Sequence, residues 1–210
     1  MSGPRRSPSG DERKRDAERT RERILEAALV EFGEHGFAGA RTSAIAARAG
    51  VNQQLISYYF DGKEGLFQAL QRRWQTTSGA AQPDVTMADV VTGFVRLGAT
   101  QRSWARLLAW EGLADTGATP DPEGEQEAQA YFTAMVDDVR RRQEAGELAA
   151  GLDPAYVLLM LFAATLAPTV LPQVVRRVTG LPADSQEFLD TYADQLGKIM
   201  AHLAGPTPAG

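Results

Sequence analysis

Three polar side chains that can hydrogen-bond to a nucleobase, Gln53, Gln54 and Ser57, lie close together in the sequence. A glutamine amide offers a donor and an acceptor side by side, which matches the N7 and N6 positions of adenine in the major groove. If residues 53–60 form a helix, these side chains share one side of it, and the apolar Ile56 and Phe60 lie on the other. The pattern therefore predicts a short helix that displays a base-reading face.

A preceding helix has to position this reading helix. The sequence predicts it over residues 42–49, where Thr42 and Ser43 act as capping residues and small residues follow that allow close helix packing. Gly50 ends this helix because glycine adopts positive φ without a steric cost, and Asn52 caps the next helix. Two helices joined in this way indicate a helix-turn-helix, whose second helix meets base edges through its N-terminal residues.

A longer pattern of residue types at fixed spacing runs through the same region. It consists of Thr42, Ile45-Ala46, Ala49-Gly50-Val51, Tyr59-Phe60, Lys63-Glu64 and Leu66. In this pattern the chain resembles the TetR family of transcriptional regulators, over residues 19–70 or about a quarter of its length. The resemblance implies an all-α fold, with an N-terminal three-helix helix-turn-helix DNA-binding domain and a C-terminal helical domain for ligand binding and dimerisation. The chain departs from the family at Ser57, where a tyrosine is common, so we expect a different base specificity.

The resemblance also implies contacts to the DNA backbone. Tyr59 and Lys63 correspond to phosphate contacts, which fix the register of the reading helix without carrying sequence information. Tyr58 is either a third such contact or a packing residue, and a solvated surface lysine is the alternative for Lys63. The predicted DNA-binding residues are Thr42, Ser43, Asn52, Gln53, Gln54, Ser57, Tyr58, Tyr59 and Lys63.

Composition and charge agree with a protein that touches DNA at one end. The chain has 210 residues, 43% of them hydrophobic, and no cysteine, which excludes disulfides and thiolate metal sites. Its net charge is −5. Residues 1–75 hold 13 Lys and Arg against 10 Asp and Glu, or +3, whereas residues 76–210 hold 9 against 17, or −8. The polar N-terminus lacks the apolar core of a secretory signal, so we expect a cytoplasmic protein.

Four segments follow from the composition along the chain. The composition of residues 1–18 predicts a disordered basic arm. Its arginines and lysine either follow the phosphate backbone or enter a minor groove, or they belong to a solvated tail. Residues 19–70 form the helix-turn-helix domain, residues 71–205 the ligand-binding and dimerisation domain, and residues 206–210 a disordered tail. His35 lies near the end of the first helix, where we interpret it as structural.

Apolar stripes at helical spacing predict the helices of the second domain, two of them within residues 87–116 and others over residues 125–145, 155–171 and 185–203. The segment of residues 155–171 is too short for a membrane span and contains Pro168, so we expect a helix buried on all sides. Candidate ligand-pocket residues are Phe94, Trp104, Trp110, Tyr131, Phe132 and Phe162. By the resemblance, the candidate dimer-interface residues are Leu158, Phe162, Phe188, Tyr192, Leu196 and Ile199.

Catalysis is the competing interpretation for the paired carboxylates Asp137 and Asp138. No second carboxylate motif or basic phosphate clamp accompanies them, so we predict no enzyme activity, no metal and no cofactor. The leading hypothesis is a homodimeric repressor that binds a palindromic operator in double-stranded DNA, is released by an unidentified small-molecule effector, and does not associate with membranes. The alternative is a DNA-binding protein without such an effector, either constitutive or regulated by another protein.

Overall fold

The predicted all-α fold is confirmed in a computed structural model that describes residues 10–78, 85–114 and 122–203. These residues form ten helices and no strand. The chain divides into two compact units, with the boundary between Gln71 and Arg72. The helices are α1 Gly10–Gly39, α2 Thr42–Ala49, α3 Gln54–Phe60, α4 Lys63–Ser78, α5 Met87–Thr100, α6 Arg102–Ala114, α7 Pro122–Glu144, α8 Pro154–Val170, α9 Pro172–Thr179 and α10 Gln186–His202.

The first helix begins earlier than predicted. Residues 10–18, assigned to a disordered arm, belong to α1, so this part of the prediction is wrong. The segment contains several Glu, Arg and Lys residues, which favour a helix, and Asp16 pairs with Arg19 across one turn at 3.9 Å. Gly36 interrupts this helix with a φ of 68°, and one further turn follows. Residues 1–9 of the predicted arm and residues 206–210 of the predicted tail lie outside the described residues.

Apolar side chains from the first four helices form the core of the N-terminal unit. Ile24, Phe32, Ile45, Ile56 and Leu66 are almost completely buried. The rings of Phe32, Phe37 and Phe67 pack on one another, with centroids 5.0 to 5.9 Å apart. This core holds α2 and α3 by their apolar faces, so their polar faces point away from it.

The C-terminal unit has its own core, built mainly where α5 packs against α10 and α8. Side-chain caps start three of its helices: the Thr86 hydroxyl accepts from the N–H of Asp89, the Asp153 carboxylate from Ala155, and the Ser185 hydroxyl from Phe188. The separate helices α5 and α6 agree with the two helices predicted within residues 87–116. The core residues are Met87, Val91, Val95, Val139, Leu148, Val157, Leu161, Ala193, Leu196 and Met200.

Helix α8 is not buried on all sides, which contradicts the sequence prediction. Val157 and Leu161 pack into the core, but Tyr156, Leu159 and Met160 are exposed, and Leu159 keeps 64% of its surface in contact with solvent. The reason is that α5, α6 and α7 cover only one side of α8 within the chain. A nearly all-apolar helix therefore leaves one apolar face uncovered.

Within the described part of the chain, no single helix is long and apolar enough to cross a bilayer. Helices α8 and α9 meet the length and composition criteria only as a pair, and this pair is bent by 90° at the break between them.

Candidate DNA-recognition surface and ligand cavity

The turn between α2 and α3 has the predicted glycine geometry. Gly50 adopts a φ of 64°, and its N–H donates to the carbonyl of Ala47 at 3.1 Å. The Arg23 guanidinium, from α1, donates to the carbonyls of Ala49 and Gly50. A positive charge at this position also complements the negative end of the α2 dipole. Arg23 therefore fixes the turn from outside it, a long-range contact that the local sequence pattern does not reveal.

The start of α3 is capped as predicted. The Asn52 side-chain oxygen accepts a hydrogen bond from the N–H of Gln54 at 2.9 Å, which satisfies one of the unpaired N–H groups at the helix start. The helix begins at Gln54, and Gln53 occupies the position before it. The side chains of Gln53 and Gln54 thus extend from the first turn of the helix, where a recognition helix meets base edges.

The predicted capping role of Thr42 and Ser43 is wrong. Helix α2 starts at Thr42, and the residue before it, Arg41, is the cap position without a side-chain cap. The carboxylate of Glu31, which is only 5% exposed, accepts the N–H of Arg41 at 3.2 Å and takes over this role from α1. The Thr42 hydroxyl instead accepts a hydrogen bond from the side-chain amide of Gln53 at 2.9 Å.

The predicted base-reading residues lie together on an exposed surface. Gln53, directly before α3, is exposed, as are Gln54 and Ser57 on α3 and Ser43 on α2, while Ile56 and Phe60 are buried. This separation holds the helix by one face and presents amides and hydroxyls on the other. We call the surface formed by Thr42, Ser43, Asn52, Gln53, Gln54 and Ser57 the reading surface.

The three predicted phosphate-contacting residues differ in their surroundings. Tyr58 is 78% exposed, and its ring meets the ring of half-buried Tyr59 edge to face at 4.9 Å. Lys63 extends across the ring of Phe37, with Nζ 4.7 Å from the ring centroid, and donates to the carbonyl of Ala38 at 3.4 Å. These contacts hold the lysine stem in place and leave the ammonium with further donors for a phosphate.

Three side chains of α1 lie close enough to consider as metal ligands. The candidate ligand atoms of Glu31, Glu34 and His35 are within 4.8 Å of one another. Each already has a protein partner, however, because Glu31 accepts from Arg41, Glu34 pairs with Arg48 at 3.2 Å, and His35 Nδ1 lies 3.2 Å from the Glu31 carbonyl oxygen. We therefore assign these residues a structural role.

The C-terminal unit contains a cavity of about 500 Å³. Its walls are mostly apolar and come from α4 to α8. Trp74 and Trp104 contribute adjacent rings with centroids 4.9 Å apart. The volume lies within the range of sites that enclose a small organic molecule. Aromatic residues in the lining are Trp74, Phe94, Trp104, Tyr131 and Phe162.

One wall of the cavity is polar and internally paired. Asp138 accepts hydrogen bonds from Arg141 and Arg142, both at 2.9 Å, and Arg142 also donates to Glu147 at 2.8 Å and to the carbonyl of Val85 at 2.7 Å. Burial opposes the charged form of Arg142, but hydrogen bonds and charges from Asp138 and Glu147 raise its pKa above the ordinary arginine value. Asp137 pairs with Arg140. The two carboxylates that suggested catalysis are thus members of an ion-pair network.

Four of the six predicted pocket residues line the cavity, namely Phe94, Trp104, Tyr131 and Phe162. Trp110 and Phe132 do not, and both keep about two-fifths of their surface exposed. Phe132 packs instead on the rings of Tyr131 and Phe162 from outside the lining. The error arises because helical spacing shows that a residue is apolar and on a given face, but not whether the facing helices leave a space there.

The predicted dimer-interface residues do not form one exposed surface. Phe188 and Leu196 are buried within the chain, because this face of α10 packs on α5, and Leu158 and Phe162 line the cavity. Tyr192 is half-buried, and its hydroxyl donates to the carbonyl of Ala164 at 2.9 Å. Of the six predicted residues, only Ile199 is classed as exposed.

Comparisons with known proteins agree with this arrangement. The family model described as "Bacterial regulatory proteins, tetR family" matches residues 24–70, and the model described as "Tetracyclin repressor-like, C-terminal domain" matches residues 87–191. The chain is 36% identical over 169 residues to the HTH-type transcriptional repressor SCO4008 of Streptomyces coelicolor, an alignment that covers 79% of this chain and 86% of that protein. It is 28% identical over 189 residues to the HTH-type transcriptional regulator RutR of Escherichia coli K12, covering 84% and 86%.

A solved structure shows the same fold. The putative transcriptional regulator SCO4942 from Streptomyces coelicolor superposes with a TM-score of 0.70 at 24% identity, covering 88% of this chain and 98% of that one. Together with the helix-turn-helix geometry, these matches define a DNA-binding transcriptional regulator. The chain belongs to the TetR family.

Proposed function

We propose that the protein is a homodimeric repressor that binds a palindromic operator through α3 and releases it when a small molecule occupies the cavity. The observation that carries this proposal is the reading surface, in which exposed Gln53 and Gln54 stand above buried Ile56 and Phe60. Such a helix is anchored on one side and open on the other, as insertion into a major groove requires. The DNA of a bacterial regulator lies in the cytoplasm, where we place its action.

The reading surface and its neighbours divide into two kinds of DNA contact. Gln53 and Gln54 are proposed to bond to base edges, with Ser57 as a shorter contact further along the helix. Thr42, Ser43 and Asn52 lie at the edge of this surface and are proposed to help position α3 along the DNA. Tyr58, Tyr59 and Lys63 are proposed to contact phosphates, since hydroxyl and ammonium groups supply the donors that phosphate oxygens accept.

A dimer is proposed because one short recognition helix covers too few base pairs to select an operator. Two copies related by a twofold axis read two half-sites about one helical turn apart, roughly 34–36 Å, or a multiple of it. The exposed apolar residues of α8 recur at helical steps along one face, and a second copy would remove this face from water. We name Tyr156, Leu159, Met160 and Val170 the α8 face.

Release by a ligand is proposed to act through α4. This helix holds both Lys63, a proposed phosphate contact, and Trp74, which lines the cavity. A molecule bound against Trp74 would favour one position of α4 over another. DNA binding then weakens to the extent that the ligand binds the non-binding arrangement more tightly.

The composition of the protein–DNA complex tests this proposal directly. Native mass spectrometry of the protein with a selected DNA duplex should give two protomers on one duplex. A complex with only one protomer on this duplex, and no larger species, would contradict the dimeric reader.

A further inference from the structure

We propose that the cavity accepts an uncharged aromatic molecule bearing a hydrogen-bond acceptor, such as an aryl ketone, which the hydroxyl of Tyr131 recognises. This inference rests on the proposed function, in which the cavity is the effector site. It adds the charge class of the effector and the residue that selects it.

The first step of the argument concerns the charged residues of the lining. Asp137, Asp138, Arg141 and Arg142 all line the cavity, and every one of them is paired with a protein group of opposite charge. Counted with their partners Arg140 and Glu147, they form three acids and three bases. The wall therefore has no net charge to offer a ligand.

The remaining acid of the lining is also accounted for. Asp89 accepts from the Thr86 hydroxyl at 2.6 Å and lies in the first turn of α5, where the helix dipole favours a negative charge. A charged ligand would lose its hydration among the aromatic rings, and Asp89, the one charge of the described lining without an ionic partner, is exposed to solvent that screens it. That loss is costly in an apolar site, so an uncharged ligand is favoured.

The second step concerns the uncharged polar groups. Among the described residues, the side chains of Gln101 and Tyr131 have no hydrogen-bond partner, although both line the cavity. Burial raises the pKa of Tyr131, so its hydroxyl stays protonated and can donate. Thr165, by contrast, already donates to the carbonyl of Phe162 at 2.9 Å. Tyr131 is thus a donor in an aromatic cavity that a ligand oxygen would satisfy.

Four naphthalene probes of similar shape separate the alternatives. They are 2-acetylnaphthalene, with a ketone acceptor; 2-ethylnaphthalene, without one; the anion 2-naphthoate; and the cation naphthalen-2-ylmethylammonium. Titration calorimetry at neutral pH, with protein added to dilute probe and no DNA present, gives each dissociation constant. We expect 2-acetylnaphthalene to bind at least about tenfold more tightly than either ion.

Two matched variants test the part assigned to the hydroxyl. Tyr131→Phe should raise the dissociation constant of 2-acetylnaphthalene by roughly 3- to 10-fold, which corresponds to the loss of one neutral hydrogen bond. It should change the dissociation constant of 2-ethylnaphthalene by less than about 2-fold. Tyr192→Phe removes a hydroxyl of similar burial that is bonded to Ala164 and absent from the lining. This control should leave the preference for the ketone unchanged.

Several results would overturn the inference. The first is that either ion binds more tightly than 2-acetylnaphthalene. The second is that Tyr131→Phe lowers the affinity for both uncharged probes equally, and the third is that no probe binds. Because DNA is absent from these titrations, such results concern the ligand class and leave operator binding untouched. Conversely, tight binding of 2-acetylnaphthalene that does not displace DNA would support the ligand class and contradict ligand-induced release.

Discussion

The side-chain amide of Gln53 donates a hydrogen bond of 2.9 Å to the hydroxyl of Thr42, which joins the first turn of the recognition helix to the first residue of the preceding helix. One N–H of the amide is used in this bond, and the second N–H and the oxygen remain available. These two groups match an adenine edge, whose N7 accepts from the amide N–H and whose N6 amino group donates to the amide oxygen. We therefore expect Thr42 to orient Gln53 for base reading.

Loss of this amide should affect one position of the operator. We expect Gln53→Ala to relax selectivity at a single base pair of each half-site, at a cost of about 1–3 kcal/mol against the preferred base. Thr42→Val, which keeps the shape but removes the acceptor, should relax the same position by less. Binding to a set of single-base operator variants measures both. Gln126→Ala, at an exposed glutamine of α7, is the control. Uniform weakening over all bases would contradict the assignment.

Replacement of Lys63 should lower the overall affinity for DNA and leave the base preference unchanged. Lys63→Met keeps the apolar stem that lies across Phe37 but removes the charge. We expect weaker binding to every DNA sequence alike, and a fall of about two in the slope of log affinity against log salt, since each protomer of the dimer loses one phosphate contact. Lys198→Met, at a lysine that pairs with Asp194 on α10, should leave the slope unchanged. A change of base preference would show that Lys63 reads sequence.

The turn glycine should be intolerant of a side chain. Gly50→Ala places an L-residue at a φ of 64°, which costs about 1–2 kcal/mol, and brings a methyl group within 2.7 Å of the Arg23 guanidinium that holds the turn. Chemical denaturation should show this loss of stability. Gly112→Ala in α6, where the added methyl group meets nothing within 4 Å, should instead stabilise by roughly 0.5–1 kcal/mol. Equal effects of the two substitutions would contradict this account of the turn.

The α8 face is expected to carry the dimer. Leu159→Glu should raise the dimer dissociation constant at least about tenfold, because it places a charge in an apolar contact. Sedimentation equilibrium measures this change. Leu113→Glu is the matched control, since Leu113 is 82% exposed on α6 and lies outside the α8 face. Dissociation caused by Leu113→Glu, with Leu159→Glu still dimeric, would move the interface to another surface.

The buried ion pairs of the cavity wall should contribute to stability. Arg142→Met removes the partner that Asp138 and Glu147 share, while Asp138 keeps Arg141, and we expect a loss of about 1.5–3 kcal/mol in the free energy of unfolding. Arg140→Met removes an exposed arginine from its pair with Asp137 and should cost less than about 1 kcal/mol. Denaturation midpoints of the two variants test the difference. Similar values would show that the Arg142 network adds little to the stability of the fold.

Local patterns in the sequence were sufficient for the helix-turn-helix and for most helix positions. The turn at Gly50, the Asn52 cap and the stripe that buries Ile56 and Phe60 all depend on residues near one another in the chain. Contacts between distant residues were missed for the same reason. Glu31 replaces the predicted caps of α2, and Arg23 holds the turn from a different helix.

The least predictable features are those that depend on which surface covers an apolar face. Helical spacing put Phe188, Leu196 and Ile199 on one face, and the family resemblance assigned that face to the dimer interface. The first two are buried within the chain, where α10 packs on α5, and only Ile199 is exposed. Trp110 and Phe132 were assigned to the pocket from residue type alone. A cavity is the space that the helices leave between them, so no periodicity in the sequence reports it.

Selection of bound sequences from a random DNA pool, by the purified protein at near-physiological salt, tests the central claim most directly. The reading surface and a twofold dimer predict an enriched palindrome, with half-sites spaced by about one helical turn or a multiple of it. Failure to enrich any sequence, with binding that persists only at low salt, would contradict the claim. Such binding would come from the phosphate backbone alone.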